Sequence, residues 1–328
     1  MKAIALISGG LDSILAAKVI KSQGIEVIPL KFIIPFSGTG KERINSLVRD
    51  SLGKEAKTMD ISADFLKLLE KPRHGFGSGM NPCIDCKILM LTRAKELMRK
   101  WQADFVVTGE VLGQRPMSQN KQALGIIEKK AGLEGLLLRP LSARAIAETV
   151  PEKENWVRRG ELFSFIGRSR QPQIELARAL KIKDYAQPAG GCLLTDPEFS
   201  KRLKELITRG ELNLNNIELL KIGRHFRIAA GTKLVVGRNE KENRKLENLA
   251  RQDDYLFYPG AELAGPTSLG RGSFNAELLK LSCRITCRYC DLKGEAGAAI
   301  TYRRIPEKED NSLRVSPPEK EELANLRV

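Results

Sequence analysis

Ser8-Gly9-Gly10-Leu11-Asp12-Ser13 is the stretch on which the reading of the whole chain turns. It lies between an apolar, strand-like run from Ala3 to Ser8 and a helical pattern from Leu11 to Ser22. Two glycines let the backbone turn sharply and come close to a ligand. A helix N-terminus adds unpaired N–H groups at the positive end of its dipole, so the segment makes an anion site. Asp12 would repel a phosphate unless a divalent cation stood between them, which makes the expected ligand a metal-bound phosphate. A turn capped by Ser8 or Asp12 needs no ligand, but two Ser, two Gly and one Asp in six residues exceed what a cap requires. The segment lacks the Gly-x4-Gly-Lys-Ser/Thr pattern of a Walker A loop. Gly38-Thr39-Gly40-Lys41 fails that pattern too, because Pro35 stands at the first glycine and Glu42 follows the lysine.

Outward from this loop, strand-like runs alternate with helical patterns: Ile25 to Phe36, Lys41 to Leu52, Ala56 to Ile61, Lys87 to Gln102 and Phe105 to Thr108. The alternation predicts an α/β fold, a parallel sheet with helices on both faces, in which ligands bind beyond the carboxyl ends of the strands. The loops after Ile7, Phe36 and Val107 are therefore the places to look for chemistry. Ala186-Gln-Pro-Ala-Gly-Gly191 is the strongest loop signal in mid-chain. Beyond it come helical patterns at Asp196–Arg209 and Asn215–Ile222, a strand-like Lys233–Val236 and a charged helix from Lys241 to Arg251. These place a boundary near residue 205, with residues 1–205 as a first domain, 206–229 as a helical connector and 230–328 as a smaller α+β domain. The tail after Pro306 is expected to be partly mobile.

The 328 residues, 42% hydrophobic and 29% charged, have ordinary globular composition, which excludes wholesale disorder and a collagen-like chain. No run approaches the roughly 20 apolar residues of a membrane span: Ile25 to Phe36 is short and holds Glu26, Lys31 and two prolines. The first apolar run is too short for a signal peptide, so no membrane association and a cytoplasmic location are expected. A formal charge of +15 points to a polyanionic partner. The excess is uneven, with twelve Lys plus Arg against six acidic residues between 201 and 250. Few aromatics accompany them, which fits recognition of a phosphate backbone or of shape better than base stacking.

Six cysteines in such a chain are more readily catalytic, metal-binding or buried than disulfide-bonded. Asn81-Pro82-Cys83-Ile84-Asp85-Cys86 opens a helix, where the dipole should stabilise a thiolate. Cys192 follows Gly190-Gly191, a turn that could bring it to the same strand ends. Two such thiols can relay sulfur, one holding a persulfide and the other releasing it by forming a disulfide. Three thiols, Cys83, Cys86 and Cys192, could instead hold an iron–sulfur cluster with one iron open; a structural zinc or plain buried thiols are the alternatives. Cys283-x3-Cys287-x2-Cys290 has radical-SAM spacing, yet only 38 residues follow it, too few for such an enzyme. On a helix these three share one face, so buried thiols lead over a zinc or second cluster there. His74 and His225 are singletons, each read as ordinary.

Ser8 to Ser13 resembles the SGGxDS signature of the PP-loop ATP pyrophosphatases, which cleave ATP between the α and β phosphates to adenylate an oxygen. Asn81-Pro-Cys-Ile-Asp-Cys86 resembles the Asn-Pro-x-x-x-Cys element of tRNA 2-thiouridylases, whose catalytic cysteine matches Cys86, while Cys192 is similar to their second cysteine. Cys83 departs from the Asp usual there and is similar to the cluster-dependent tRNA thiolases, which favours a [4Fe-4S] cluster over a simple persulfide relay. Thr108-Gly-Glu-Val-Leu-Gly-Gln114, Ser118-Gln119 and Leu138-Arg-Pro-Leu141 resemble the tRNA 4-thiouridine synthetases, in which the corresponding Gly-rich loop lies by the nucleotide. Val235-Val236-Gly237-Arg238-Asn239, followed by Asp253-Asp254-Tyr255-Leu256-Phe257, resembles the NFACT-type RNA-binding domain.

The resemblance implies ATP-dependent tRNA thiolation with ATP, Mg²⁺ and a [4Fe-4S] cluster. Ser8, Gly9, Gly10, Asp12, Ser13, Phe32 and Gly109 would hold the nucleotide, Asp12, Cys86 and Cys192 would be catalytic, and Arg238, Asn239 and Asn243 would contact RNA. Expected partners are tRNA and a sulfur donor, whether sulfide, a persulfide carrier or a cysteine desulfurase; homodimerisation is left open. Two other readings stand beside it: a deazapurine-type PP-loop synthase with zinc on Cys283, Cys287 and Cys290, and a non-catalytic RNA-binding protein.

Overall fold

The computed structural model describes residues 1–36, 41–182, 185 and 192–328; of residues 41–43 only the backbone is described. Gly38-Thr39-Gly40 and the Ala186–Gly191 loop lie outside the described residues. The chain divides into two compact units, Met1–Ser200 and Lys201–Val328.

The first unit contains β1 (Lys2–Leu6), α1 (Leu11–Ser22), β2 (Glu26–Ile33), α2 (Lys41–Leu52), β3 (Lys57–Asp60), α3 (Ser62–Glu70), α4 (Cys83–Trp101), β4 (Phe105–Val107), α5 (Lys121–Ala131), β5 (Leu137–Leu138), α6 (Val150–Lys153) and α7 (Gln171–Ala179). Its five strands are ordered β3-β2-β1-β4-β5 and all pair in parallel. A parallel strand is buried on both faces and reads as a continuous apolar run. In β1, Ala3 and Ala5 face a core shared with α1, α2 and α7, while Ile4 faces a second core shared with α4 and α5. The order reverses at β1, with β2 on one side and β4 on the other, and a ligand crevice opens where such a reversal occurs.

α8 (Pro197–Thr208) crosses the division. The second unit continues with α9 (Leu214–Leu220), β6 (Arg224–Ala229), β7 (Thr232–Val236), α10 (Glu240–Leu249), β8 (Tyr255–Pro259), β9 (Ser268–Arg271), α11 (Ala276–Cys287), β10 (Ala298–Arg304), β11 (Asn311–Val315) and α12 (Lys320–Leu326). The sheet is antiparallel in the order β11-β10-β8-β9-β7-β6. One face packs on α11 and α12 around Phe226, Phe257 and Cys283, the other on α9 and α10 around Leu219, Leu246 and Leu269. Thus β6 occupies part of the stretch expected to be a connector. The tail after Pro306, expected to be partly mobile, forms β11 and α12, because β11 completes the sheet beside β10 and buries Val315. The backbone of Phe226 bridges to Arg327, and the Val328 amide donates to the His225 carbonyl at 3.1 Å, so these residues lie along the outer side of β6. Among the described residues no helix is long and apolar enough to cross a membrane.

Candidate active site

The loop after β1 turns through Gly9, whose φ of 84° suits glycine. Its hydroxyls knit it together: Ser13 Oγ donates to the Gly10 carbonyl at 2.8 Å and accepts the Ser8 amide at 3.3 Å, and Ser8 Oγ accepts the Gly10 amide at 3.3 Å. Gly10 is the N-cap of α1 and no side chain caps the helix. Its first amides therefore have no side-chain partner, the arrangement on which an anion can bind.

The loop after β4 lies against this one. A Cβ on Gly109 would fall 2.4 Å from the Asp12 carbonyl carbon and 2.5 Å from the Ser13 nitrogen, so only glycine permits the approach. Gln114 Nε2 donates to Asp12 Oδ2 at 3.1 Å. The other carboxylate oxygen, Oδ1, is buried without a hydrogen-bond partner, and its nearest cation is Arg170 Nη2 at 3.8 Å. Burial raises the Asp12 pKa above the usual carboxylate value, against the pull of Gln114, Arg170 and Arg115. A buried, half-satisfied carboxylate oxygen beside open helix amides is the arrangement a divalent cation would complete. Phe32 is buried in the core of the α4 face.

Cys83 and Cys86 lie in the first turn of α4, after Pro82. Burial pushes the Cys86 thiol up to about 12, further raised by Cys192 and Cys83 and partly offset by Lys87 and Arg115. Cys192 is pushed up to about 11, again chiefly by burial and with Cys83 adding to it. This corrects the expectation of a thiolate stabilised by the helix N-terminus, because desolvation of the charged form outweighs that stabilisation. Cys83, Cys86 and Cys192 thus come within electrostatic reach of one another. They do not stand as a closed ligand set: among the described residues no three His, Cys, Asp or Glu side chains are grouped to hold a metal ion.

Sequence reasoning missed what ties the two loops to the cysteine helix. Glu110, 2% exposed, accepts from Arg139 Nε and Thr108 Oγ1, each at 3.1 Å, and lies 3.3 Å from the Nζ of Lys87, the neighbour of Cys86. Arg139 also reaches Glu128 at 2.8 Å. Burial alone would raise the Glu110 pKa, but Lys87 and Arg139 overcome it and bring the carboxyl down to about 2. Its signal was present in Thr108-Gly-Glu110 and Leu138-Arg139-Pro140, noticed only as likenesses. Glu110→Ala should cost about 3 kcal/mol in urea denaturation, since it strips the buried Arg139 Nε and Lys87 Nζ of their carboxylate and leaves Arg139 only Glu128. In the native protein this carboxylate's stabilisation should be complete above about pH 4.5 and disappear as pH falls through about 2. His74 is likewise not isolated: its Nδ1 and its amide both lie 2.8 Å from Asp85.

In the second unit, Asn239 caps α10 by accepting the Glu242 amide at 3.0 Å, and Arg238 forms an ion pair with Glu242 at 2.7 Å. Both side chains are thus engaged within the domain. Asn243 Oδ1 is buried without a partner, where a Cβ on Gly237 would meet it at 2.1 Å. Cys283 and Cys287 are fully buried in the apolar core, and Cys290 is partly buried beside them. His225 is buried with Nε2 2.9 Å from the Ile222 carbonyl, and burial drives its pKa down to about 3, so it is neutral. An open groove of about 810 Å³ carries Lys201, Lys204, Thr208 and Arg209 along its sides.

Comparison with known proteins agrees with both units. Residues 1–150 match the family described as thiamine biosynthesis protein (ThiI), and residues 223–327 match the NFACT protein RNA binding domain. A probable tRNA sulfurtransferase of Thermococcus kodakarensis is 29% identical over 142 residues, covering 43% of this chain and 36% of the relative. One from Moorella thermoacetica is 31% identical over 144 residues, with 43% and 36% covered. A solved structure titled as a 4-thiouridine synthetase–RNA complex with bound ATP is 21% identical and covers 66% of this chain and 52% of its own, at a TM-score of 0.36. The chain spans about a third of the length of the curated relatives it matches. The two matches fall on different parts of the chain, so its first unit is similar to the ThiI family and its second to the NFACT RNA binding domain.

Proposed function

We propose that the chain is an ATP-dependent tRNA thiolase that converts a uridine to 4-thiouridine or 2-thiouridine. The observation that carries this reading is the nearness of the Ser8–Ser13 loop to two thiols: Arg115, on the loop held to Asp12 through Gln114, acts electrostatically on Asp12, Cys86 and Cys192 alike. The match to tRNA sulfurtransferases and the RNA-binding domain support the choice of substrate.

In this reading the amides at Gly9, Gly10 and the start of α1, with Ser8 and Ser13, hold the ATP phosphates. Asp12 would hold Mg²⁺ through its unsatisfied Oδ1, and the ion would neutralise charge on the phosphates. A uracil carbonyl oxygen attacks the α-phosphate and pyrophosphate leaves, which turns that oxygen into part of a good leaving group. The terminal sulfur of a persulfide on Cys86, placed there as sulfane sulfur by a persulfide carrier or a cysteine desulfurase, adds to the activated carbon and AMP departs. The Cys192 thiol then attacks the inner sulfur, its proton passing to the departing thio-uracil, so that the S–S bond to the uracil sulfur breaks and a Cys86–Cys192 disulfide forms; an external thiol resets it. A [4Fe-4S] cluster on Cys83, Cys86 and Cys192 fits the donor set in kind and would supply an open iron to hold sulfide. A free Cys86 thiol so far above neutrality is protonated at pH 7, and pairing with a strongly positive centre is what would ionise it. The basic second domain would hold tRNA by its backbone, with Lys201 and Lys204 available beside Arg238, Asn239 and Asn243.

Mass spectrometry of nucleosides tests this reading: tRNA is incubated with anaerobically prepared protein, ATP and Mg²⁺, once with reconstituted iron and sulfur and sulfide as donor, and once without iron and with a persulfide carrier as donor. A thiouridine peak that requires ATP is the expected result, and its dependence on iron separates the cluster from the persulfide. Unmodified tRNA under both conditions would overturn the reading.

A further inference from the structure

Four arginines in the first unit illustrate how its positive charges are spent. Arg139 is locked between Glu110 and Glu128, Arg170 leans on Asp12, and Arg93 is held by Asp64 and Glu96. Arg115 differs. Among the described residues its guanidinium makes no hydrogen bond and no ion pair, and the residue is exposed. Its backbone is nevertheless fixed: the preceding side chain, Gln114, donates to Asp12, the Arg115 carbonyl accepts the Gln119 amide at 2.9 Å, and the loop's Gly109 packs on the Asp12–Ser13 backbone. A long cation is thereby anchored one residue from the side chain that bonds the Asp12 carboxylate, and among the described residues it acts on that carboxylate without forming an ion pair with it.

We infer that Arg115 is a substrate-binding residue for the α-phosphate of the nucleotide, and that it keeps hold of the same phosphate when the phosphate has moved onto the uracil oxygen. The inference rests on the proposed function for the second half of that statement and on nucleotide binding alone for the first. The chemistry suits the position. A planar guanidinium binds two phosphate oxygens at once, and the α-phosphate gains negative charge as the incoming oxygen adds and pyrophosphate leaves. Gln114 and Gly109 fix the Arg115 loop against Asp12, and the Arg115 charge acts on Asp12, Cys86 and Cys192 alike, so a phosphate in its grip would lie near both the loop that activates the oxygen and the thiols that deliver sulfur to the same carbon. Holding both reactants of the second step in one place is worth more than either contact separately.

Equilibrium binding of AMP and of adenosine to the full chain and to R115A and R115K tests this, with no turnover needed. R115A should bind AMP about 10-fold more weakly, as expected for loss of a charge-assisted pair, while its affinity for adenosine stays as in the parent protein. R115K should recover part of the AMP affinity, and millimolar guanidinium should restore part of it to R115A, an effect that a merely structural role would not show. Equal affinities of parent and R115A for AMP would overturn the inference, as would a parallel loss for adenosine or a failure of the parent protein to bind AMP. An AMP affinity that depends on Arg115 in a protein that never thiolates tRNA would uphold this inference and sink the proposed function instead.

Discussion

Asp12→Ala should lower tRNA-dependent pyrophosphate release by ~10³-fold, the scale set by removing a metal-mediated neutralisation of several kcal/mol, while tRNA affinity stays unchanged. The two effects separate because the carboxylate belongs to the phosphate loop, whereas tRNA affinity is assigned to the second domain's basic surface. Asp12 also carries a sign that sharpens the test. Its pKa is raised in the folded protein, so the charged form is disfavoured by folding: any stability it contributes is present at low pH and is lost as pH rises through the folded value. At neutral pH the side chain is a cost to the empty protein. Asp12→Ala without nucleotide or Mg²⁺ should therefore melt no lower than the parent, and ATP with Mg²⁺ should stabilise the parent far more than the variant. A variant that melts early, or that loses tRNA, would show Asp12 to be part of the scaffold.

Cys86→Ser should do the opposite to the two half-reactions. Pyrophosphate release with tRNA should persist at near the parent rate, because the nucleotide loop and its partners Gly109 and Gln114 are untouched. Thionucleoside should fall below detection, because a serine oxygen can carry neither a persulfide nor an iron. The substitution is nearly isosteric in the first turn of α4, so the fold should survive. Mass spectrometry of the tRNA beside a pyrophosphate assay reads both outcomes on one sample. Thiouridine formed at the parent rate by this variant would remove Cys86 from the mechanism.

Much of the first domain was readable because its physics is local. β1 and its loop lie within the first 13 residues, and the strands buried on both faces left apolar runs that needed no partner to be recognised. The site was half readable for the same reason. Gly109 and Gln114 were caught in one motif, but that Gly109 must be glycine to clear Asp12 is a contact across nearly a hundred residues. The Glu110–Arg139 pair is 29 residues apart in the chain and carries no local periodicity, so both members looked like ordinary polar positions. The thiol pKa values went the other way from expectation because a helix terminus is visible in sequence and burial is not. In the second domain the charged helix after Asn239 was visible in the pattern, whereas β11 was hidden in a polar segment whose order comes from its neighbour β10.

The backbone bonds from Arg327 and Val328 to β6 bear on how this protein behaves at high concentration. A six-stranded open sheet has two flanks, and each is a template on which a second molecule can add a strand and begin a fibril. On the β6 flank, part of the main chain is already occupied from within. The β11 flank is five residues long, and the segment Asn-Ser-Leu-Arg-Val exposes Asn311, Ser312 and Arg314. A strand so short, polar and charged is a poor seed. The second domain thus has both of its open flanks blunted against self-association.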